Sequence, residues 1–499
     1  MSKNKKLKIS IKYTKSLRFI TALVIAFLLT FNFSWVATAA AKHYTDLQFA
    51  PLPEIKLPEY ERFVLKNGLV VYLMEDHELP LVSGTALIKT GSRLETGEKT
   101  GLAEIAGSLM RTGGTMNHPP DQLNEILEQR AASVETDIDE TTGSASFESL
   151  TEDVETVFGL FAEVLQQPAF SQEKLDLIKT QVRGSIARRN DDPGDIASRE
   201  FKKLIYGENS PYARTVEYAT LDKINREDAV RFYQKYYYPN NMILGIVGDF
   251  NPKIMGSLIE QKLGNWQPNP NIANISIPEV SPAKLGGVFA VNQPQLTQSN
   301  ILIGHLGGKF DNPDYPALSV MNGVLNGFGG RLFNELRSRQ GLAYTVYGYW
   351  SSRFDYPGMF IAGGQTRSDG TVQFIKALKA EIQRIQNQPI TAKELNYAKE
   401  STLNSFVFNF QDPSQTLSRL MRYEYYGYPA DFLFRYQKAV KETTTADVQR
   451  VAKKYLKPEN IVTLVVGNQT AITPPLTQLA SQVTSIDVTI PKDQTQAQN

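Results

Sequence analysis

The chain has 499 residues, 41% hydrophobic and 21% charged, with a formal net charge of +1. This is ordinary globular composition with enough apolar content for large cores. It points to two or three domains and away from a disordered or nucleic-acid-binding chain. Cysteine is absent, which excludes thiolate metal sites and a lipidated cysteine anchor, and the four histidines (His43, His77, His118 and His305) show no ligand-pair spacing.

Residues 1–18 hold seven cations and no acid, and an apolar run follows from Phe19 to Val36. Small residues near Ala39–Ala41 complete the order of a secretory leader: basic region, apolar region, cleavage site. The expectation is a signal peptide over 1–41, removed on export to the periplasm. The rival is an uncleaved anchor, for which a run of about 18 residues is at the lower limit. Losing the seven leader cations leaves an acidic mature chain with no basic stripe for nucleic acid.

The segments "FVLKNGLVVYLME" and "VSGTALIKTG" read as strands. "TGLAEIAGSLMRTGGT", Thr100 to Thr115, then reads as an amphipathic helix with Leu102, Ile105, Ala106, Leu109 and Met110 toward a core, stopped by Gly113-Gly114. Its other face carries Glu104, Gly107 and Ser108 at i, i+3 and i+4, the spacing at which side chains share one face. "TEDVETVFGLFAEVLQQP" is a second helix, with Val154, Val157, Phe158, Phe161 and Leu165 on one side.

The chain then repeats itself. "REDAVRFYQKYYYPNNMILGIVGD" (226–249) and "TADVQRVAKKYLKPENIVTLVVGN" (445–468) align without a gap, matching Asp228 with Asp447, Tyr236 with Tyr455, Pro239 with Pro458 and Gly248 with Gly467. Each copy reads as helix, proline turn and apolar strand, so a duplicated domain is expected. The second half opens with strands "GGVFAVNQ" and "SNILIGHLG", and a double glycine, Gly329-Gly330, recurs in it. The fold class is α+β. The expected domains are 50–268 and 285–475, joined by a Pro- and Asn-rich linker or hinge over 269–284. A tail over 476–499 is expected to fray beyond one short strand, "SIDVTI".

"KTGSRLETGEKTGLAEIAGSLMRTGGT", the linker and "GGRLFNELRSRQGLAYTVYG" resemble the pitrilysin/insulinase peptidases, and among them the bacterial and mitochondrial processing-peptidase-type subunits, over about residues 50–475. The resemblance implies two homologous mitochondrial-processing-peptidase-like domains that form half of a clamshell closing over a peptide. The family's signature is H-x-x-E-H on a helix, two zinc ligands and a general base, with a downstream glutamate as third ligand. Laid on this chain, the first histidine position is Glu104, the base position Gly107, the second histidine position Ser108 and the third-ligand position Ser185. Zinc needs His, Cys or carboxylate donors and only Glu104 is one, so no metal is expected in this chain.

The resemblance also implies a pair in the C-terminal half, spaced R-x6-Y, that donates hydrogen bonds near the scissile carbonyl. Arg337 and Tyr344 keep that spacing, and a guanidinium and a phenol are suitable donors for a developing oxyanion. The plain alternative pairs Arg337 with Glu335 and packs Tyr344 into a strand; Arg339 and Tyr347 are the nearest decoys. Gly327, Gly329 and Gly330 correspond to a glycine-rich substrate-contacting loop, or else simply break a helix. Ser108 is set aside as a nucleophile, because no base lies nearby in sequence and no G-x-S-x-G elbow is present.

The reading is a non-catalytic subunit of an exported heterodimeric zinc metalloendopeptidase. A homologous partner bearing H-x-x-E-H would hold the zinc, and a peptide or unfolded protein segment would be the substrate. The alternatives are a scaffold or peptide-binding protein and an active peptidase with a relocated metal site.

Overall fold

The strands assemble into two large sheets of matching topology. The first contains β1 (Glu61–Val64), β2 (Val70–Glu75), β3 (Leu81–Ile88), β4 (Ser133–Ile138), β5 (Gly143–Leu150) and β6 (Met242–Gly248), in the order β1-β2-β6-β3-β5-β4. The second half supplies β7 (Val288–Asn292), β8 (Gln298–Leu306), β9 (Gly308–Lys309), β10 (Thr345–Trp350), β11 (Ser352–Arg353), β12 (Met359–Arg367), β13 (Val462–Gly467) and β14 (Val483–Ser485). Its large sheet runs β10-β12-β8-β13-β7-β14, with β9 and β11 forming a separate small ribbon. In each sheet a parallel pair, β2 with β6 or β7 with β13, is followed by antiparallel pairs out to one edge; at the other edge β1 joins β2 antiparallel, whereas β14 joins β7 in parallel. The repeat read from 226–249 and 445–468 is therefore a repeat of whole sheets. The α+β class with two homologous domains is the architecture observed. The computed structural model describes residues 56–272 and 275–493. The expected leader, His43 and the end of the tail lie outside the described residues.

β6 and β13 are buried along their whole length, because both faces of each are covered. On its inner face, β6 meets the first half's own core, where Leu244 and Ile246 join Leu109, Phe147, Phe158 and Phe161. On its outer face, Ile243 and Val247 pack with Tyr72 and Met74 against Leu417, Leu420 and Met421, from the helix Pro413–Tyr426 of the second half. The reverse also holds. The helix Pro193–Tyr206 of the first half lays Ile196, Phe201 and Ile205 on Val462, Leu464 and Val466 of β13 and on Leu302 of β8.

The two exchanged helices start alike. Asp192 and Asp412 each accept two backbone N–H bonds as N-caps, and a proline follows at the first helical position. Polar contacts add to the exchange. Buried Arg93 pairs with Asp355, the Tyr425 hydroxyl donates to Thr141 O at 2.8 Å, and the Tyr206 hydroxyl donates to Pro357 O at 2.9 Å. Residues from Leu57 onward form one compact unit.

The linker is strapped to the first half by bonds from Tyr212 Oη to Pro278 O (3.0 Å) and from Ala283 N to Ile205 O (2.9 Å). The tail departs from expectation. Its strand is β14 at Val483–Ser485, not 485–490, and it pairs in parallel with β7. Beyond it, Val488 O accepts from Asn190 Nδ2 at 2.6 Å and Asp493 pairs with Arg183 at 2.7 Å. Unused hydrogen-bonding groups on the edge strand β7 account for this: a Thr-rich segment can fill them whatever its helical periodicity.

Candidate functional site

The helix resembling a zinc helix spans Leu102–Thr112. Its start is set by Glu95, whose carboxylate accepts from Gly101 N–H (3.0 Å) and Ala103 N–H (2.9 Å), placing negative charge at the helix N-terminus. Its apolar face is buried as the periodicity requires. Glu104 points into an open recess of ≈ 320 Å³ that it shares with Glu95, Asp137, Asp139, Glu140 and Arg214. Although part of its surface reaches solvent, the enclosing protein raises its pKa and Asp137 adds to the rise.

Gly107, at the base position, presses on β4. A Cβ there would lie 2.6 Å from Ile138 N and 2.9 Å from Asp137 C, and Thr136 Oγ1 donates to Gly107 O at 2.6 Å. Strand backbone thus occupies the space a base would need. Ser108 is half-buried and offers its carbonyl to Thr112 Oγ1 at 2.9 Å. The helix carrying Ser185, Gln172–Arg188, does pack beside Leu102–Thr112. Ser185 itself is exposed and donates back to Gln181 O at 3.2 Å.

The fold thus brings the two ligand-bearing elements together, but three of the four side chains cannot serve zinc. Among the described residues, no group of three or more His, Asp or Glu is placed to hold a metal ion. No histidine lines the recess. His77 is held by Asp249 (2.6 Å) and Glu75 (3.1 Å), whose bonds raise its pKa; His118 meets Glu163 at 2.8 Å; and desolvation lowers the pKa of buried His305, whose Nε2 accepts from Lys457 N–H at 3.1 Å.

In the second half, Arg337 lies on a π-helical turn, Phe333–Arg339. Its guanidinium sits 4.8 Å from the Phe333 ring centroid and 4.6 Å from that of Tyr344. The plain alternative does not form: Glu335 pairs with Arg339 at 3.0 Å, and the Arg337 guanidinium has no acceptor among the described residues. Tyr344 stands just before β10 and is 80% exposed, rather than packed into a strand. Arg337 and Tyr344 are therefore brought together and face outward. Tyr347 is half-buried on β10, where burial raises its pKa.

Three features had no reading in the sequence: Tyr397 beneath the glycine loop, the exposure of Phe328, and the pairing of Asn322 and Asn326 with β10. Gly327, at φ +78°, and Gly329 lie over the ring of Tyr397, whose hydroxyl accepts from Gly329 N–H at 3.1 Å. Phe328, between those glycines, is 80% exposed and meets Phe333 edge-on at 5.1 Å. The outer edge of β10 is also partly closed. Asn326 bonds both Gly348 N–H (3.0 Å) and Gly348 O (2.6 Å), and Asn322 bonds both Trp350 N–H (2.7 Å) and Trp350 O (3.0 Å). Two asparagines one helical turn apart thus act as a substitute strand, and the only available sequence signal was their i, i+4 spacing.

Comparison with known proteins agrees with this geometry. The family model described as "Insulinase (Peptidase family M16)" matches residues 70–217, and that described as "Peptidase M16 inactive domain" matches 223–402. The chain belongs to the M16 peptidase family. It is an M16 homologue of the degenerate kind, without H-x-x-E-H. It is 24% identical over 363 residues to the uncharacterized zinc protease YmxG of Bacillus subtilis, covering 72% of this chain and 86% of that protein. It is 23% identical over 403 residues to the non-peptidase homolog YmxG of Helicobacter pylori, covering 79% and 91%. Among solved structures, a peptidase M16 inactive domain from Pseudomonas fluorescens superposes with a TM-score of 0.75 at 25% identity, covering 84% of this chain and 100% of that one. A protease from Helicobacter pylori shares the fold at a TM-score of 0.72 and 20% identity, covering 82% and 100%.

Proposed function

We propose that this M16 chain is the non-catalytic subunit of an exported heterodimeric zinc metalloendopeptidase. A homologous H-x-x-E-H subunit holds the zinc and the general base. This chain supplies the facing half of the chamber, positions the peptide, and donates hydrogen bonds from Arg337 and Tyr344 across to the partner's reacting centre. Export rests on the leader read in residues 1–41.

One observation carries the reading: the Arg337 guanidinium is held without a carboxylate partner between Phe333 and Tyr344, beside an exposed phenol. Two neighbouring rings hold the guanidinium without taking its N–H groups, which stay free to donate, and held donors are what a developing oxyanion requires. The chain's own recess does not fit zinc. Gly107 offers no base, Ser108 and Ser185 are weak ligands, and a lone Glu104 cannot close a tetrahedral site.

The experiment is reconstitution with an H-x-x-E-H homologue and the substitution Tyr344→Phe, which removes one hydroxyl and keeps the ring beside Arg337. The expected loss is about 10²–10³ in kcat, with subunit pairing and the partner's zinc content unchanged. A wild-type rate in a normally paired complex would reject the donor role and favour the second reading, a scaffold. That reading draws support from the Helicobacter relative named a non-peptidase homolog.

A further inference from the structure

Phe328, as exposed as Tyr344, belongs to the ridge that also holds Arg337. The turn presenting it is fixed on three sides. Gly330 N–H donates to Gly327 O at 3.0 Å, Asn334 Nδ2 donates to Gly329 O at 3.1 Å, and Gly329 N–H donates to Tyr397 Oη at 3.1 Å. Tyr397 fills the space beneath the turn, since a Cβ at Gly327 would fall 2.9 Å from its hydroxyl and one at Gly329 2.8 Å from its ring. Phe328 therefore has no room to fold inward. Its outer contacts run in sequence: Phe328 meets Phe333 edge-on at 5.1 Å, Phe333 carries Arg337 at 4.8 Å, and Arg337 carries Tyr344 at 4.6 Å. The result is a continuous surface ridge of rings with one unpaired cation in it.

We propose that Phe328 determines specificity at this site. It selects peptides with a large apolar side chain close to the carbonyl that Arg337 binds, and Tyr397 is the positioning residue that holds Phe328 out. The inference rests on the reading of Arg337 as a peptide-binding donor. Complementarity picks the occupant: a free guanidinium edge takes a carbonyl or carboxylate oxygen, and an exposed ring takes an apolar group. An extended peptide offers both within one or two residues, at roughly 3.3 Å of rise per residue.

The test is fluorescence anisotropy of the full chain with labelled, end-blocked peptides that differ at one position, occupied by Phe, Ala or Asp. The wild-type chain is expected to prefer the Phe peptide by about tenfold. Phe328→Ala should erase that preference while leaving the Ala peptide's Kd in place. Tyr397→Phe keeps the ring but removes the acceptor for Gly329 N–H. It should lower the ratio of Phe- to Ala-peptide affinity with an unchanged circular dichroism spectrum, whereas a merely structural tyrosine would alter stability and not the ratio. Equal binding of all three peptides by the wild type overturns the proposal. So does a preference that survives Phe328→Ala, or a Phe328→Ala variant whose one defect is failure to pair with the H-x-x-E-H subunit. Failure of the underlying reading is distinguishable: Arg337→Lys would then change no peptide's affinity, while Phe328→Ala still abolished the preference.

Discussion

Gly107 sits where two opposing effects can be weighed. A glycine inside a helix costs roughly 0.5–1 kcal/mol relative to alanine, so Gly107→Ala would stabilise an isolated helix. Here the added Cβ would meet the backbone of Ile138 at 2.6 Å, which no rotamer can relieve, and overpacking of that kind costs typically about 1–3 kcal/mol. The contact wins. Gly107→Ala is expected to lower the urea midpoint without changing the slope of the transition. A stabilised variant would show that β4 can retreat, and the base position would then be recoverable. If β4 holds, restoring the signature by Glu104→His, Gly107→Glu and Ser108→His will not restore a zinc site. The loss of a glutamate was legible in the sequence at this position, but the closing of the space was not, because the spacing of a motif carries no information about which strand lies against it.

Besides the Tyr397 hydroxyl, a carboxylate ties the turn that carries Phe328 to the helix Ala392–Asn404. Glu394 accepts from buried Arg331 at 2.6 and 3.2 Å, and from the backbone N–H and hydroxyl of Thr391 at 2.7 and 2.9 Å, closing a capping box. Burial works to raise its pKa, but Arg331 and Thr391 outweigh burial and bring it from 4.5 down to about 2. A depressed carboxylate contributes stability that is fully present above its unfolded pKa and is lost as pH falls through the folded one. Between about pH 4.5 and 2, wild-type stability should therefore fall more steeply than that of Glu394→Gln; parallel thermal-melt profiles for the two would remove Glu394 from this role. Much at the element scale was legible. Strands β1, β2, β3, β7 and β8, the helix Leu102–Thr112 and the repeated helix-turn-strand all follow from periodicity and from glycine and proline placement, which are local signals. The Arg337–Tyr344 proximity followed from spacing within a family pattern. The ring of Phe333 beside the guanidinium, and Tyr397 beneath the glycines, did not, because both are contacts fixed by how a π-helical turn and a distant helix are packed.

At the scale of the whole molecule, the exchange of helices decides how the two halves behave. Periodicity marks Ile196, Phe201 and Ile205, and likewise Leu417, Leu420 and Met421, as one apolar helix face each, but it cannot say whose sheet each face covers. Each covers the other half's. A half cut at the linker would leave the outer face of β6 or β13 bare, and would carry an unpaired apolar helix in exchange. An exposed apolar area of that size is what soluble chains avoid. The two sheets therefore belong to one cooperative unit despite their duplicated topology. Phe201→Ala, buried to within 1% of its surface in the second sheet's outer layer, should cost roughly 3–5 kcal/mol, and Leu417→Ala, at 2%, roughly 2–5 kcal/mol in the first sheet's. Each is expected to lower a single calorimetric transition, with the probes of both halves moving together, since each substitution lies at the boundary of both. Two separated transitions in the wild type, or a variant that shifts the melting of one half alone, would mean that the halves are independent domains with a weak interface. A single transition would also constrain the proposed function. If the halves cannot hinge on each other, opening to admit a peptide has to occur between this chain and its partner, and the Arg337–Tyr344 pair moves as part of one rigid wall.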